Sequence, residues 1–272
     1  MVALEVVGEA GATPVLLCHG LADSRLSARW FGTAATGLGL RVIAPDRPGI
    51  GGTDPRPLVR LADWTEDARM VLDALGVGKA AVVGVSAGGP FAAACAARLE
   101  GRVRSLTLVS PLGLPGWPTF AMAAGERFGL AVAQRSPVFG GWALGRLAAL
   151  ARRSPGIFLR LTATSLPPAD VRALNQPALR ESFLDSYVEA FRQGSWGTAQ
   201  DLRVLTRPWG FDLGSIAVPT LIRHGDADMT VPLQHARLYA ERIPGALLRI
   251  ESGHGHFSIL GLAREILAPL AA

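Results

Sequence analysis

The sequence predicts an α/β protein built on one mostly parallel sheet flanked by helices. Short apolar runs rich in β-branched residues alternate with helical segments, which is the order that parallel strands require. The alternation stops between residues 112 and 208, where helical patterns follow one another. A chain of 272 residues, 49% of them hydrophobic, is long enough to bury one such core. We therefore expect a core formed by residues 1–111 and 209–272, with an inserted helical cap at 112–208.

The first two strands are predicted at Ala3–Val7 and from Val15 to His19-Gly20. Glycine at the end of the second strand lets the following loop fold back over a neighbouring site. The backbone N–H of Leu21 would then point at that site and could stabilise negative charge there. We interpret His19 as a structural residue that bonds this loop.

The strongest functional signal is Ser86, which stands between Gly84 and Gly88. Ala80–Val85 before it predicts a buried strand, and Pro90–Leu99 after it predicts a helix. A sharp turn from strand to helix strains the backbone at the serine, excludes side chains two residues away on either side and exposes the hydroxyl.

Such a turn makes Ser86 a candidate nucleophile. It also leaves the backbone N–H of Ala87 at a helix N-terminus, where developing negative charge is favoured. The alternative interpretation is an ordinary tight turn whose serine caps the helix.

A serine hydroxyl becomes a good nucleophile when a base takes its proton, and histidine is the expected base. The chain has five histidines, and we expect the base near the C-terminus, after the nucleophile and the acid, where only His254 and His256 lie. Both lie between a predicted strand, Leu247–Ile250, and an apolar helical stretch, Ile259–Leu270. We favour His256, which directly precedes an aromatic residue and the helix. His254 lies between two glycines and is the alternative.

The acid that orients the histidine is expected after the strand Val218–Arg223. Asp226 and Asp228 compete for this role. We favour Asp228 because it lies four residues before the proline that bends the loop, whereas an aspartate beside a glycine more often bonds the loop backbone. The 28 residues from Asp228 to His256 hold one helix and one strand, so the two side chains would emerge from neighbouring strands.

Apolar side chains in the predicted cap recur at four-residue spacing, so each set lies on one helical face. We interpret these faces as packed inside the cap, since a helix must bury one face. The two sets are Phe120, Ala124 and Phe128, and Leu179, Phe183, Tyr187 and Phe191. Prolines mark expected helix starts at Pro118, Pro137, Pro155, Pro167, Pro168 and Pro177.

A cap over the strand ends must form one wall of a pocket. An aromatic, apolar wall favours a small hydrophobic ester-like substrate over a sugar or a phosphate. The candidate wall residues are Trp117, Phe139, Trp142, Phe158 and Trp196.

The charge pattern does not indicate nucleic-acid binding, although the formal net charge is +5. Lys79 is the only lysine, and the arginines are dispersed without an aromatic platform between them. We expect the two cysteines, Cys18 and Cys95, to be reduced and buried. No leader, membrane span or metal-ligand cluster is recognisable, so we expect a cytoplasmic protein without metal or cofactor.

Several segments together resemble, in chain order, the motifs of the α/β-hydrolase superfamily of serine esterases, lipases and relatives. They are His19-Gly20, Asp46–Gly51, Gly84–Gly88, Gly225–Pro232 and Gly253–His256. The resemblance extends from about residue 14 to the C-terminus. Ile50 replaces the usual aromatic residue, and fewer residues than usual precede His19-Gly20, so we expect the sheet to be one strand short at its antiparallel edge.

The resemblance implies a serine hydrolase in which Ser86 attacks, His256 moves the proton and Asp228 holds the histidine. The N–H groups of Leu21 and Ala87 would form the oxyanion hole. We expect carboxylic ester hydrolysis through an acyl-enzyme on Ser86. The same residues also serve other acyl transfers, C–C bond hydrolysis and haloperoxidase chemistry, and a receptor that binds a small ligand without turnover is an alternative of another class.

Overall fold

The centre of the molecule is a seven-stranded sheet with strand order β1-β3-β2-β4-β5-β6-β7. The computed structural model describes residues 1–120 and 122–271, without the side chains of Glu126 and Ala133. All neighbouring strands run parallel except β1, which is antiparallel to β3. The predicted α/β class with a mostly parallel sheet is confirmed. The strands are β1 (Leu4–Val7), β2 (Thr13–Cys18), β3 (Leu40–Pro45), β4 (Ala80–Val85), β5 (Val103–Val109), β6 (Thr220–Gly225) and β7 (Leu247–Glu251).

Helices cover both faces of this sheet. Successive side chains of a strand point to opposite faces, and β2 accordingly divides its apolar residues between two buried clusters. Leu16 packs with Phe91 in one cluster, whereas Leu17 packs with Phe31 in the other. The helices outside the insertion are α1 (Gly32–Gly37), α2 (Thr65–Ala74), α3 (Gly88–Arg98), α10 (Leu233–Arg242) and α11 (Ala263–Leu267).

Between β5 and β6, the described residues form helices and no strand. We propose that these helices act as a cap over the strand ends, and we use that name for them. They are α4 (Ala124–Arg135), α5 (Pro137–Arg153), α6 (Pro155–Ala163), α7 (Pro168–Leu174), α8 (Pro177–Ala190) and α9 (Trp196–Leu205). Four of them begin at an expected proline, whose fixed φ and missing N–H suit the first helical position.

The two predicted apolar faces of the cap differ in the structure. In α8, Phe183 and Tyr187 pack against Phe158 of α6, with ring centroids 6.1 and 5.0 Å away. The other prediction is wrong, because Phe120 precedes α4 and Phe128 is 71% exposed. None of the described helices is long and apolar enough to cross a membrane.

Candidate active site

Ser86 lies on a strained turn between β4 and α3. Its φ is +54°, a left-handed conformation that a residue with a side chain rarely adopts. A Cβ added at Gly88 would lie 2.0 Å from the carbonyl oxygen of Cys18, and one at Gly84 would lie 2.6 Å from the Cβ of Ala92. The turn therefore requires glycine at both positions. It presents the serine hydroxyl to a cavity at the ends of the strands.

His256 connects this serine to Asp228. The Nε2 atom of His256 lies 3.0 Å from Oγ of Ser86, and its Nδ1 atom lies 2.8 Å from Oδ2 of Asp228. Because an ionised carboxylate only accepts, Nδ1 carries the hydrogen and Nε2 is left to accept from the serine hydroxyl. The histidine can thus take the hydroxyl proton as the oxygen attacks a carbonyl carbon.

The neighbouring strands β6 and β7 bring the acid and the histidine together, since each residue lies in the loop that follows its strand. Asp228 is fixed by backbone N–H groups of Thr230 and Val231, which donate to Oδ1 at 2.9 and 2.8 Å. Burial alone would raise the pKa of Asp228. The charge and hydrogen bond of His256 outweigh burial, with help from His224 and the Val231 N–H, so the pKa lies below its usual value.

The structure places the two alternative residues elsewhere. Oδ1 of Asp226 accepts from the N–H of Gly253 at 2.7 Å, so this carboxylate joins the two loops through the backbone. His254 points Nδ1 toward the carbonyl oxygen of Ser258, 3.2 Å away. Within the described part of the chain, neither residue has a hydrogen bond to Ser86, Asp228 or His256.

Leu21 and Ala87, whose backbone N–H groups were predicted to form an oxyanion hole, line the same cavity as Ser86. No acceptor for either N–H is recorded among residues 1–120 and 122–271. Ala87 is the residue that precedes α3, where the helix dipole favours negative charge. Both groups are therefore available to an oxyanion that forms beside the serine.

The loop that carries Leu21 is held by Asp23. Its Oδ2 accepts from the N–H of Gly20 at 2.9 Å, and its Oδ1 accepts from the N–H of Ser24 at 2.8 Å. The hydroxyl of Ser186, on α8, donates to the same carboxylate. Burial raises the pKa of Asp23, and these hydrogen bonds oppose the shift. A buried polar contact thus connects the loop after β2, which carries Leu21, with the cap.

Arg47 provides a second connection between this loop and the cap. Its guanidinium donates to the carbonyl oxygens of His19 and Gly20 at 2.6 and 2.7 Å. It also pairs with Asp201 of α9 at 2.7 Å, and both side chains are completely buried. Burial raises the pKa of Asp201, while the charge of Arg47 opposes the shift.

His19 and Asp46 are used in the structure of these loops. Nδ1 of His19 lies 3.0 Å from the carbonyl oxygen of Gly20, and its Nε2 accepts from the N–H of Arg47. Burial and the charge of Arg47 lower the pKa of His19, which keeps the ring neutral. Asp46 accepts hydrogen bonds from Arg25 and from the N–H of Gly52.

The loop that carries His256 is fixed by Asp170 of α7, a residue that the sequence analysis did not single out. Oδ2 of Asp170 accepts from the N–H of His256 at 2.8 Å. Oδ1 accepts from the N–H groups of Phe257 and Ser258 and from the Ser258 hydroxyl, at 3.1, 2.8 and 2.8 Å. The carboxylate is fully buried, so these bonds are shielded from water. In the sequence, an aspartate in the first turn of a helix indicates only a favourable interaction with the helix dipole.

The cavity in front of Ser86 has a volume of about 610 Å³. Most of its lining is apolar and comes from the cap. Of the predicted wall residues, Phe139 and Phe158 line it. Trp117 instead packs against Tyr239 with ring centroids 5.2 Å apart, Trp142 stacks on Phe139, and Trp196 lies against Gly49.

Comparisons with known proteins agree with this fold. A curated relative, 2-hydroxymuconate semialdehyde hydrolase from Pseudomonas putida, is 31% identical over 250 residues, which cover 90% of this chain and 81% of the relative. The poly(3-hydroxyalkanoate) depolymerase of Ectopseudomonas oleovorans is 28% identical over 97% of this chain and 84% of its own. A thermophilic esterase from Thermogutta terrifontis superposes with a TM-score of 0.71 at 24% identity, covering 100% of this chain and 94% of the esterase.

The sequence model of the alpha/beta hydrolase fold matches residues 13–261. This range includes the loop after β2, the strained turn at Ser86 and the loops that carry Asp228 and His256. Because the match covers most of the chain and agrees with the sheet topology, the protein belongs to the α/β-hydrolase family.

Proposed function

We propose that this family member hydrolyses carboxylic esters of hydrophobic acids or alcohols through an acyl-enzyme on Ser86. The observation that carries the proposal is the hydrogen-bonded chain from Ser86 through His256 to Asp228, with contacts of 3.0 and 2.8 Å. These three side chains supply the nucleophile, the base and the group that orients the base.

In the proposed reaction, Oγ of Ser86 bonds to the ester carbonyl carbon while Nε2 of His256 takes its proton. The carbonyl oxygen becomes an oxyanion, which accepts from the N–H groups of Leu21 and Ala87. When the C–O bond of the ester breaks, His256 returns the proton to the leaving alcohol. Water then enters, and its oxygen bonds to the acyl carbon while His256 takes one of its protons. The bond between that carbon and Oγ of Ser86 breaks, His256 returns the proton to Oγ, and the carboxylic acid leaves. Asp228 stabilises the imidazolium in both halves of the reaction.

The lining of the cavity supports a neutral, hydrophobic substrate. Among the described lining residues, Asp23 is the one acid and His256 the one histidine, and none is an arginine or lysine. An apolar ester portion gains free energy by leaving water in such a cavity, at about 25 cal/mol per Å² of buried apolar surface. A carboxylate in the same place would lose its hydration without gaining a counterion.

A second candidate is hydrolysis of a C–C bond, because the relative that is 31% identical is named as a hydrolase of 2-hydroxymuconate semialdehyde. A muconate is an anion, and the apolar lining of this cavity favours the ester reaction over that one. The two candidates use the same serine, so the charge of the preferred substrate separates them.

The proposal is tested with p-nitrophenyl esters and a fluorophosphonate probe. We expect wild-type protein to hydrolyse the esters and to be labelled once, at Ser86. Ser86→Ala is expected to lose labelling and to lower kcat by roughly 10³-fold or more. A folded Ser86→Ala variant with a near-normal rate would remove this serine from the mechanism. A wild-type protein that neither reacts with the probe nor hydrolyses any ester would favour the receptor alternative.

Substrate charge is tested with two p-nitrophenyl esters of equal chain length, one ending in a carboxylate and one in its methyl ester. We expect kcat/KM to be at least about tenfold higher for the neutral ester, because a buried unpaired charge is strongly disfavoured. A preference for the anionic ester would contradict the proposed substrate class and favour the second candidate.

A further inference from the structure

Several apolar side chains of the cap line the cavity and are also exposed to solvent. Phe128, Phe139 and Leu161 line the cavity, and yet 71%, 52% and 53% of their surfaces are exposed. Trp142 stacks on Phe139 with ring centroids 5.5 Å apart and is itself 54% exposed. Single exposed apolar residues are common, whereas a contiguous group around an opening indicates an interaction surface.

The same helices carry an unusual concentration of positive charge. Residues 124–163 contain six arginines and one acidic residue, so this segment accounts for the net charge of the chain, +5. All six guanidinium groups are exposed, and none pairs with a described carboxylate. The arginines are Arg127, Arg135, Arg146, Arg152, Arg153 and Arg160.

The apolar and basic side chains share helix faces. In α5, Phe139, Trp142, Arg146 and Arg153 follow at spacings of three, four and seven residues, which places them on one side of the helix. In α6, Arg160 lies three residues after Ile157 and next to Leu161, and both of these apolar residues are exposed. We call this surface of α4–α6, with its exposed apolar residues and arginines, the rim face. Helices that combine these two kinds of residue lie at interfaces between water and lipid.

We propose that the rim face docks on an anionic lipid surface. The apolar side chains would enter the interface and the guanidinium groups would contact lipid headgroups. Charge complementarity favours this occupant over a second copy of the chain, since two rim faces in contact would bring twelve unpaired arginines together. Docking would place the cavity mouth where hydrophobic esters concentrate, but the binding itself does not depend on the proposed hydrolysis.

The proposal is tested by sedimenting the full chain with vesicles of phosphatidylcholine alone or mixed equally with phosphatidylglycerol. We expect binding to the mixed vesicles and not to the neutral ones. Binding is expected to weaken between 0.1 and 1 M NaCl, because the screening length falls from about 10 Å to about 3 Å. Equal binding to both vesicles, or none to either, would overturn the proposal.

A triple variant tests the arginines. Arg146→Gln with Arg153→Gln and Arg160→Gln is expected to lower the partition coefficient by about 100-fold, since each arginine near an anionic surface contributes roughly fivefold. The control removes three exposed arginines outside the cap, through Arg104→Gln, Arg237→Gln and Arg249→Gln. It is expected to lower binding by no more than about threefold, because charges away from the contact are screened. An equal loss in both triples would mean that net charge, and not the rim face, causes binding.

A matched pair tests the apolar part. Val138 lies on the rim face and Val59 lies outside the cap, and the two residues are 75% and 74% exposed. Val138→Asp is expected to weaken vesicle binding, whereas Val59→Asp is not.

Sedimentation velocity tests whether a second copy of the chain covers the rim face instead. If the protein is a dimer and Trp142→Ser dissociates it, a second copy covers this face, and lipid docking would be overturned. Ser86→Ala should bind vesicles like wild type, so loss of docking and loss of hydrolysis are distinguishable.

Discussion

The N–H of His256 donates to the carboxylate of Asp170 at 2.8 Å, so a cap helix fixes the loop that carries the histidine. The next two N–H groups, of Phe257 and Ser258, donate to the same carboxylate. A side chain placed in this way has no direct contact with a substrate. It determines where the imidazole lies relative to the serine, and we regard it as a positioning residue.

Replacing Asp170 with Asn tests this role. The amide nitrogen cannot accept from an N–H, so one hydrogen bond of the loop becomes a repulsive contact between two donors. We expect kcat for a p-nitrophenyl ester to fall by about 10- to 100-fold with little change in KM, because small displacements of a catalytic group are costly. Circular dichroism and thermal unfolding check that the variant folds. Asp212→Asn, which alters a surface carboxylate, should leave kcat unchanged, and an unaltered kcat in Asp170→Asn would contradict the assignment.

The acid is tested by a pair of variants in one loop. Asp228→Asn is expected to lower kcat by about 10³- to 10⁴-fold, because the neutral amide no longer holds the Nδ1–H tautomer or stabilises the imidazolium. Asp226→Asn removes a carboxylate that contacts only the N–H of Gly253 among the described hydrogen bonds, and its effect on kcat should be small. Steady-state kinetics on one ester compares them. A larger loss in Asp226→Asn would reverse the two roles.

The turn at Ser86 predicts a strong effect of Gly88→Ala on stability. The added Cβ would lie 2.0 Å from the carbonyl oxygen of Cys18, and β2 cannot move away without breaking its pairing with β4. We expect a loss of about 3 kcal/mol or more in the free energy of unfolding, or failure to fold. Urea unfolding measures it. Gly78→Ala is the control, since a Cβ there has no neighbour within 4 Å, and it should unfold near the wild-type midpoint.

Buried histidines predict a loss of stability at mildly acidic pH. Burial lowers the pKa of His19, His224 and His235 below the ordinary value of 6.5. Just below that pH the unfolded chain binds protons that the folded chain does not, so the free energy of unfolding falls as the pH decreases. Each such histidine contributes at most about 1.4 kcal/mol per pH unit to this slope.

Urea unfolding between pH 7.5 and 5.5 measures this slope. His235→Gln is expected to reduce this slope, by at most about 1.4 kcal/mol per pH unit. A slope that His235→Gln does not alter would mean that folding does not lower the pKa of this ring.

The sequence was most informative where backbone geometry limits the choice of residue. Gly84 and Gly88 predicted the turn, and the prolines at 137, 155, 168 and 177 predicted the first residues of four helices. Chain order and loop position selected Asp228 and His256, which the structure places 2.8 Å apart. The glycine and proline signals depend only on neighbouring residues in the chain. The spacing of Asp228 and His256 is set by the one helix and one strand between them.

Contacts between distant segments were not predictable in the same way. Asp170 and His256 are 86 residues apart, and nothing near Asp170 in the sequence indicates its partner. The exposed position of Phe128 was also missed, because an apolar stripe has the same spacing whether it faces a core or a solvent-exposed opening. Burial depends on what the rest of the chain places beside a helix.

The buried ion pair between Arg47 and Asp201 of α9 limits which caps can replace the one in this protein. Exchanging the cap for one from a relative, in order to change substrate preference, would leave a buried cation without its counterion unless the donor segment carries a carboxylate at the same place. The carbonyl oxygens of His19 and Gly20, which accept hydrogen bonds from Arg47, would no longer be held in place. Cap and loop therefore form one structural unit, and a chimera that separates them should fail in catalysis before it fails in substrate binding.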